Sequence, residues 1–260
     1  MKRNPHAGLN LRAGLSLNIL TEDELAGIHE GTLEILEQTG LFVEDEQALE
    51  LFGDHGADVD LQKKIVRLPE YLVEEAIRSA PSRVVLAGRN PKHDLSLAGS
   101  RVHFTNFSEG VQVVDPYSGE FRSPLKSDLS QSTRVIDALD EIDFCEKALG
   151  AHDVSQDTAA VHNAEAILPQ TSKHCAFGPG NGRLLKKIVR MGAAIAGGMQ
   201  ELKKRPLLSF TTCPVSPLKL IRECCEIIMK SARSGLTCNI LSMAMAGGTA
   251  PISLAGTLVT

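Results

Sequence analysis

The 260-residue chain contains no tryptophan, only two tyrosines and no apolar run close to the ~20 residues needed to cross a bilayer. It also lacks an excess of positive charge, since 27 lysines and arginines face 32 aspartates and glutamates, for a formal net charge of −5. This balance gives no general attraction to nucleic acid or to an anionic membrane. The first residues lack the continuous apolar segment of a signal peptide. These absences predict a cytoplasmic protein that binds neither nucleic acid nor membrane.

Paired cysteine spacing is missing as well, because none of the six cysteines forms a CxxC pair. Cys145, Cys175, Cys213 and Cys238 each lie in or at the end of one predicted strand. They could form a four-thiolate metal site, or they could be small residues suited to a crowded interior. Structural zinc sites have close paired spacing, which favours the second interpretation. We therefore predict no bound metal and six reduced thiols.

Two parts of the chain follow different patterns. Residues 1–125 read as a mixed α/β region of short helices and short strands, and Thr21 with Glu24 predicts a capping box at the first helix. Residues 126–260 alternate regularly between helix and strand, and the strand segments are "DFCEKAL", "SKHCAF", "RPLLSFTTC" and "LTCNILSM". Strands separated by one helix each predict a parallel sheet covered by helices. Ser216 and Pro217 predict the start of the last long helix.

Ligands of parallel α/β proteins lie beyond the carboxyl ends of the strands. The glycine-rich turn 178–182 could cradle an anion there, but it lacks the spacing of a P-loop. A strand-to-helix turn capped by Asn181 is the simpler interpretation. His152 and Asp153 could form an acid/base pair or a solvated loop pair.

Lys173 and His174 are adjacent in a predicted strand, so strand alternation points only one of them toward the interior. Lys173 could serve as a Schiff-base lysine. Further along, Gly247 and Gly248 allow close approach of a backbone or a bulky ligand, and Thr249 is the predicted cap of the next helix. The methionines at positions 243 and 245 would lie near that opening or fill gaps in the core.

Several longer stretches resemble the trimethylamine methyltransferase family of corrinoid-dependent methylamine systems. They are "LTEDELAGIHEGTLEIL", "LPEYLVEEAIRSAPSRVVLAGRNP", "VHFTNFSEGVQV", "TSKHC", "CPVSPL" and "LSMAMAGGTAPISLAGTLV". The resemblance implies a TIM barrel preceded by an N-terminal α/β elaboration. It also implies methyl transfer from trimethylamine, or from a quaternary amine such as glycine betaine, to the cobalt of a corrinoid on a separate protein. The expected partners are a cognate corrinoid protein and a small methylated amine, and no tightly bound cofactor is expected in the chain itself.

The resemblance also indicates five substrate-binding candidates, which are Phe107, His174, Cys213, Ser242 and Met243. Phe107 could face an alkylammonium cation, since aromatic rings attract such groups, or it could belong to the core. His174 could bind substrate or anchor a loop.

Only four βα units can be counted, whereas a closed barrel needs eight strands. We therefore predict the N-terminal half of a TIM barrel over residues 126–260. Half a barrel would have open sheet edges at its first and fourth strands and an apolar interior-facing surface, which predicts a homo-oligomer. Two alternatives remain, a non-catalytic half-barrel that binds a partner chain and a Schiff-base TIM-barrel lyase that uses Lys173.

Overall fold

The computed structural model describes residues 8–9, 17–99 and 101–260. The helices of these residues are α1 (Glu22–Gln38), α2 (Glu46–Asp54), α3 (Glu70–Ser79), α4 (Lys126–Ala138), α5 (Ala159–Ile167), α6 (Gly182–Ala196), α7 (Met199–Lys204), α8 (Arg222–Ser234) and α9 (Leu254–Val259). The strands are β1 (Gly8–Leu9), β2 (Leu17–Asn18), β3 (Leu41–Val43), β4 (Asp58–Asp60), β5 (Ile65–Arg67), β6 (Arg83–Leu86), β7 (Leu95–Ala98), β8 (Val113–Val114), β9 (Phe121–Arg122), β10 (Cys145–Glu146), β11 (Cys175–Phe177), β12 (Leu208–Thr212), β13 (Lys219–Leu220) and β14 (Thr237–Ile240). Among the described helices, none has the length and apolar character of a membrane span.

Contacts divide the chain into two compact units, of which the first combines the chain up to Pro81 with Pro214–Arg222 and Ser242–Thr260. Its main sheet has the order β13-β3-β5-β4. The predicted capping box at α1 is confirmed, because Thr21 Oγ1 accepts from the Glu24 amide at 3.0 Å and the Glu24 carboxylate accepts from the Thr21 amide at 2.8 Å. These local signals therefore fix the start of α1.

The prediction that Ser216 and Pro217 start a helix is wrong, since α8 begins at Arg222. Leu218 has a φ of 54°, a left-handed conformation that cannot continue an α-helix. The Leu218 carbonyl accepts from the amide of Phe42 at 2.9 Å, and β13 pairs in parallel with β3. Hydrogen bonds to a strand far away in sequence thus replace the helix that the local residues favour.

The second unit comprises Ser82–Cys213 and Glu223–Leu241. Its central sheet has the order β10-β11-β12-β14, and all three strand pairs are parallel, which confirms the predicted arrangement. The fold class is α/β, with these consecutive strands and helices arranged as in the first half of a (β/α)8 barrel. The unit also includes residues 82–125, which the sequence assigned to the elaboration. Contact density does not test where a barrel begins, so the boundary between residues 125 and 126 stays a prediction.

The two faces of this parallel sheet differ in chemistry. Side chains alternate between the faces of a strand, and those that join the helices in the hydrophobic core are Cys145, Cys175, Phe177, Leu208 and Phe210. The opposite face carries the alternate residues Glu146, Ala176, Ser209, Thr211, Thr237 and Asn239, which the strand register aligns across the sheet. The expectation of an apolar interior-facing surface is therefore wrong at these strands. We call this second set the polar face.

The first strand of the sheet does not have an open edge, contrary to the expectation for half a barrel. The segment 104–110 runs parallel to β10, with isolated bridges that join Thr105 to Phe144 and Gly110 to Leu149. The Asp143 amide donates to the Phe104 carbonyl at 2.8 Å, and the Gly110 amide donates to the Ala148 carbonyl at 2.9 Å. The strand order leaves β14 at the other edge.

Candidate functional site

The carboxyl end of β10 lies beside the segment 104–110, and Asn106 joins the two. Its side-chain amide donates to the Glu146 carbonyl at 3.1 Å and to the Phe107 carbonyl at 2.8 Å, while the Glu146 amide donates to Asn106 Oδ1 at 3.0 Å. The carboxamide thus satisfies the edge of β10 as the backbone of a neighbouring strand would. This arrangement fixes Phe107 and Glu146 close to each other in the backbone.

Phe107 is not a core residue, because 82% of its surface is exposed. Three other large apolar residues of the same segment are exposed as well, namely Val102, Phe104 and Val111. Monomeric proteins seldom expose a contiguous apolar surface without a use for it. The Phe107 ring is therefore accessible to a ligand, and its face can attract an alkylammonium cation.

Glu146 is a site residue that the sequence reasoning missed. It is partly buried at the end of β10, and its side chain belongs to the polar face. Burial raises the pKa of the Glu146 carboxyl; a hydrogen bond with Ser108 opposes this shift, and the negative charge of Glu109 adds to it. A usable signal was present in the sequence, since Glu146 is a charged residue in the middle of the predicted strand "DFCEKAL".

Glu109 differs from Glu146 because it has a cationic partner. Lys147 Nζ lies 2.7 Å from Glu109 Oε2, and the Glu109 amide donates to the Lys147 carbonyl at 3.0 Å. Glu109 also has a φ of 68°, a left-handed conformation that is unfavourable for a residue with a Cβ and that is concentrated at functional sites. The two contacts with Lys147 hold this conformation in place.

His174 lies at the amino end of β11, which is the end opposite to the ligand side of a parallel sheet. It is completely buried, with Nδ1 3.1 Å from the Ala87 carbonyl and Nε2 2.9 Å from Ser209 Oγ. A carbonyl can only accept, so Nδ1 carries the proton and Nε2 accepts from the serine hydroxyl. Burial lowers the pKa of His174 to about 4, which keeps the ring neutral. These contacts favour the loop-anchor alternative over substrate binding.

Lys173 is buried at the same end of the sheet. Its Nζ donates to the carbonyl of Ile136 at 2.7 Å and to that of Leu139 at 2.6 Å, both at the C-terminus of α4. The Ile136 carbonyl also accepts from the Leu139 amide at 3.4 Å, and the Leu139 carbonyl accepts from the Ile142 amide at 3.2 Å. A cation at this end of the helix also complements the helix dipole. The Lys173 amine thus binds the C-terminal end of α4. Because this is the end of the sheet opposite to the ligand side, the position argues against a Schiff-base lyase.

The other predicted site residues are Cys213, Ser242 and Met243. Cys213 follows β12 and is exposed as a residue, but partial desolvation of its thiol, with smaller effects of Cys224 and Glu109, raises the pKa of that thiol. Ser242 and Met243 belong to the first unit, where Met243 is 63% exposed and is therefore not a core methionine. Thr249 does not cap the following helix as predicted. Its hydroxyl bonds the Met245 amide and the Met243 carbonyl, and Ser253 caps α9 instead.

The glycine-rich turn after β11 is a capped helix start, as predicted. Asn181 Oδ1 accepts from the amides of Arg183 and Leu184, both at 3.0 Å. The Gly182 amide, which could have faced an anion, donates to the Glu226 carboxylate at 3.1 Å. An internal carboxylate therefore already lies where the anion-cradle alternative would require a ligand.

His152 and Asp153 are used at a helix start. Asp153 Oδ1 accepts from the amide of Lys126 at 2.8 Å, at the first residue of α4, and the His152 amide donates to the Pro124 carbonyl at 2.9 Å. An acceptor at the first amides of a helix satisfies donors that have no partner within the helix. These contacts support the loop interpretation of the pair.

No disulfide joins the six cysteines, all of which lie in the described residues, and burial raises the pKa of the Cys145 thiol to about 12. Within the described ranges, no group of three or more histidine, cysteine, aspartate or glutamate side chains is placed to hold a metal ion. The cysteine on β10 and its neighbour on β11, Cys175, both point into the hydrophobic core.

Comparison with known proteins gives matches along the whole chain. The family model described as trimethylamine methyltransferase (MTTB) matches residues 7–260. Trimethylamine methyltransferase MttB of Desulfitobacterium hafniense is 48% identical over 254 residues, which are 98% of this chain and 51% of that protein. Glycine betaine methyltransferase of the same species is 30% identical over 243 residues, which are 93% of this chain and 50% of that protein.

A solved structure with a similar fold is monomethylamine methyltransferase MtmB of Methanosarcina barkeri. The likeness has a TM-score of 0.51 at 16% sequence identity and covers 92% of this chain and 55% of that one. At this identity the likeness concerns the fold alone. The chain spans about half the length of the curated relatives it matches.

Proposed function

The chain belongs to the trimethylamine methyltransferase family, and from this premise we propose that the protein transfers a methyl group from a methylated amine to the cobalt of a corrinoid. The family match over residues 7–260 is the observation that carries the proposal. Similar proteins named for trimethylamine and for glycine betaine support tertiary or quaternary methylated amines as the substrate class. The corrinoid would be a second substrate, carried by a cognate partner protein.

The proposed reaction breaks a C–N bond and forms a Co–C bond. The electron pair of the broken bond stays on the amine nitrogen, and cobalt(I) supplies both electrons of the new bond. No group of the protein needs to enter either bond, so the protein acts by placing the methyl carbon between nitrogen and cobalt. Phe107, exposed beside the carboxyl end of β10, is suited to hold the positive amine in this position.

We also propose a cytoplasmic location. Cobalt(I) is strongly reducing, so the proposed reaction needs a compartment without an oxidising environment. The lack of a disulfide among the six cysteines, all of them in the described residues, supports the same proposal, because thiols persist in the cytoplasm and form disulfides in secreted proteins.

The test uses the protein with all the residues that its gene encodes, together with its cognate corrinoid protein in the cobalt(I) state. Trimethylamine and glycine betaine are added separately, and methylation of cobalt is followed by the corrinoid absorbance. We expect methyl transfer from one of these amines. Absence of transfer from either amine, and from other tertiary and quaternary methylamines, would overturn the proposal and favour the non-catalytic alternative.

Phe107→Leu tests the role of the ring, with Phe104→Leu as a matched control in the same exposed segment. A cation–π contact contributes about 0.5–2 kcal/mol, so KM for the amine should rise about 2- to 30-fold in the first variant. The control should leave KM unchanged. Equal KM values for the amine in the two variants would show that the Phe107 ring does not contact the amine.

A further inference from the structure

The polar face of the second unit presents one carboxylate without a counter-charge. In the described part of the chain, Glu146 is in no ion pair, although it is partly buried at the ligand end of β10. A buried charge is unfavourable unless it is paired or well hydrogen-bonded. A bound cation would therefore stabilise the Glu146 carboxylate.

The neighbouring groups do not supply that cation. Lys147 follows Glu146 directly, but its amine is bound by Glu109 at 2.7 Å. Asn106 contacts only backbone atoms of Glu146. Ser108 contributes a hydrogen bond to the carboxylate, and a hydroxyl carries no charge. Among the described groups, a positive charge at Glu146 must therefore come from a bound molecule.

The surroundings favour an organic cation over a metal ion. Calcium binds six to eight oxygen ligands, and magnesium requires near-octahedral oxygen coordination. The described residues bring no third acidic or imidazole side chain to Glu146 and Glu109. The Asn106 side chain bonds the backbone carbonyls of both Phe107 and Glu146, and the Phe107 side chain is exposed. An aromatic ring attracts an alkylated ammonium group through its face. A carboxylate next to an exposed aromatic ring is the chemistry that recognises alkylammonium.

The residue aligned with Glu146 on β11 is Ala176. Its methyl side chain is small, so this neighbour on the polar face presents little bulk beside the carboxylate. An alkylammonium head is several times larger than a metal ion and needs such a small neighbour.

We propose that Glu146 binds the positively charged head of the methylated amine, with Phe107 as the aromatic side of the same site. This inference rests on the proposed function and adds a substrate-binding residue to it. Glu146 would orient the amine by its charge, and this role needs no proton transfer, so it applies equally to a quaternary amine, which has no proton to give.

The test measures binding of tetramethylammonium to the complete protein by titration calorimetry, without corrinoid and without turnover. This probe has no ionisable proton, so any pH dependence of its binding comes from the protein. We expect Glu146→Gln to weaken binding at least about tenfold, the loss of one contact of about 1.4 kcal/mol. Glu141→Gln is the matched control, since Glu141 is an exposed glutamate before β10 and its removal changes net charge equally.

A pH titration separates binding from a structural role. The charged groups beside Glu146 are Glu109 and Lys147, which form an ion pair with each other at 2.7 Å. Affinity of the natural protein should therefore fall as the pH is lowered through the raised pKa of Glu146. Affinity of Glu146→Gln should be independent of pH in the same range, and Glu146→Asp should retain the pH dependence.

Natural affinity and pH dependence in Glu146→Gln would overturn the inference, and so would equal weakening by Glu141→Gln. If Glu146→Gln fails to fold, the pH profiles of the natural protein and of Glu146→Asp decide, and flat profiles would overturn the inference. These outcomes are distinct from failure of the proposed function, which would appear as absent methyl transfer whatever the binding results.

Discussion

Replacing Lys173 by methionine should destabilise the protein without touching the ligand side of the sheet. Methionine keeps most of the apolar stem and removes the ammonium group. The carbonyls of Ile136 and Leu139 would then lose their short hydrogen bonds from this cation, at 2.7 and 2.6 Å respectively, and keep only the longer bonds from the amides of Leu139 and Ile142. The change therefore tests whether Lys173 is a helix-end residue.

The size of the effect follows from opposing contributions. A hydrogen bond with a charged donor contributes about 1.5–3 kcal/mol, so the loss of two such bonds costs about 3–6 kcal/mol. Removing a buried ammonium recovers part of its desolvation cost. A net loss of about 2–4 kcal/mol is expected, and at about 2 °C per kcal/mol for a large domain the Tm falls by about 4–8 °C.

The measurement is thermal unfolding of the complete protein by circular dichroism, with Lys186→Met as the control. Lys186 is an exposed lysine on α6, and surface substitutions usually change stability by no more than about 0.5 kcal/mol. A Tm for Lys173→Met equal to that of the control would refute the reasoning. Trapping of a carbonyl substrate on Lys173 by borohydride would refute it in a second way and would restore the lyase alternative.

Three further predictions concern pH, the sheet edge and the cysteines. The amides of Ser118 and Tyr117, with Arg122, lower the pKa of Asp115 from its usual 3.8 to about 2. The Asp115 carboxylate therefore stabilises the natural protein above pH 3.8, and this contribution is lost as the pH falls through about 2. Acid unfolding should show that Asp115→Asn lacks the contribution. Asn106→Ala removes three hydrogen bonds at the edge of β10, so it should lower the free energy of unfolding by about 1.5–4 kcal/mol. It should also speed hydrogen exchange of the Glu146 amide. Unchanged exchange would show that the Asn106 side chain does not protect the edge of β10. Thiol titration under denaturing conditions should find six reduced thiols, and metal analysis should find no stoichiometric zinc. Fewer thiols or bound zinc would contradict the prediction of reduced cysteines that hold no metal.

The parts of the fold that the sequence predicted depend on short-range signals. The capping box of Thr21 and Glu24 and the cap at Asn181 involve residues within three positions of each other. The parallel sheet follows from a pattern that repeats along the chain, and each strand segment is apolar enough to be buried. Such features need no knowledge of distant contacts, and they were predicted correctly.

The features that were not predicted depend on contacts between residues far apart in sequence. Ser216 and Pro217 carry a strong helix-start signal, but β13 pairs with β3, more than 170 residues earlier, and that pairing decides the local conformation. The closed edge of β10 depends on an asparagine side chain about 40 residues away. His174 matched a family motif, but the motif does not say at which end of β11 the residue lies. Local propensity is a weak guide wherever tertiary hydrogen bonds compete with it.

The position of Glu146 on β10 is the strongest argument for a binding role at this end of the sheet. An apolar residue there would avoid both the desolvation of a carboxylate and the repulsion from Glu109, which together raise the pKa of Glu146. The adjacent position on the same strand, Cys145, shows that β10 does carry an apolar residue where its side chain enters the core. The charge is thus confined to the polar face and to the end of the strand at which parallel α/β proteins bind ligands. An unfavourable charge in this position is typical of a residue retained for binding or catalysis, because stability alone would favour its replacement.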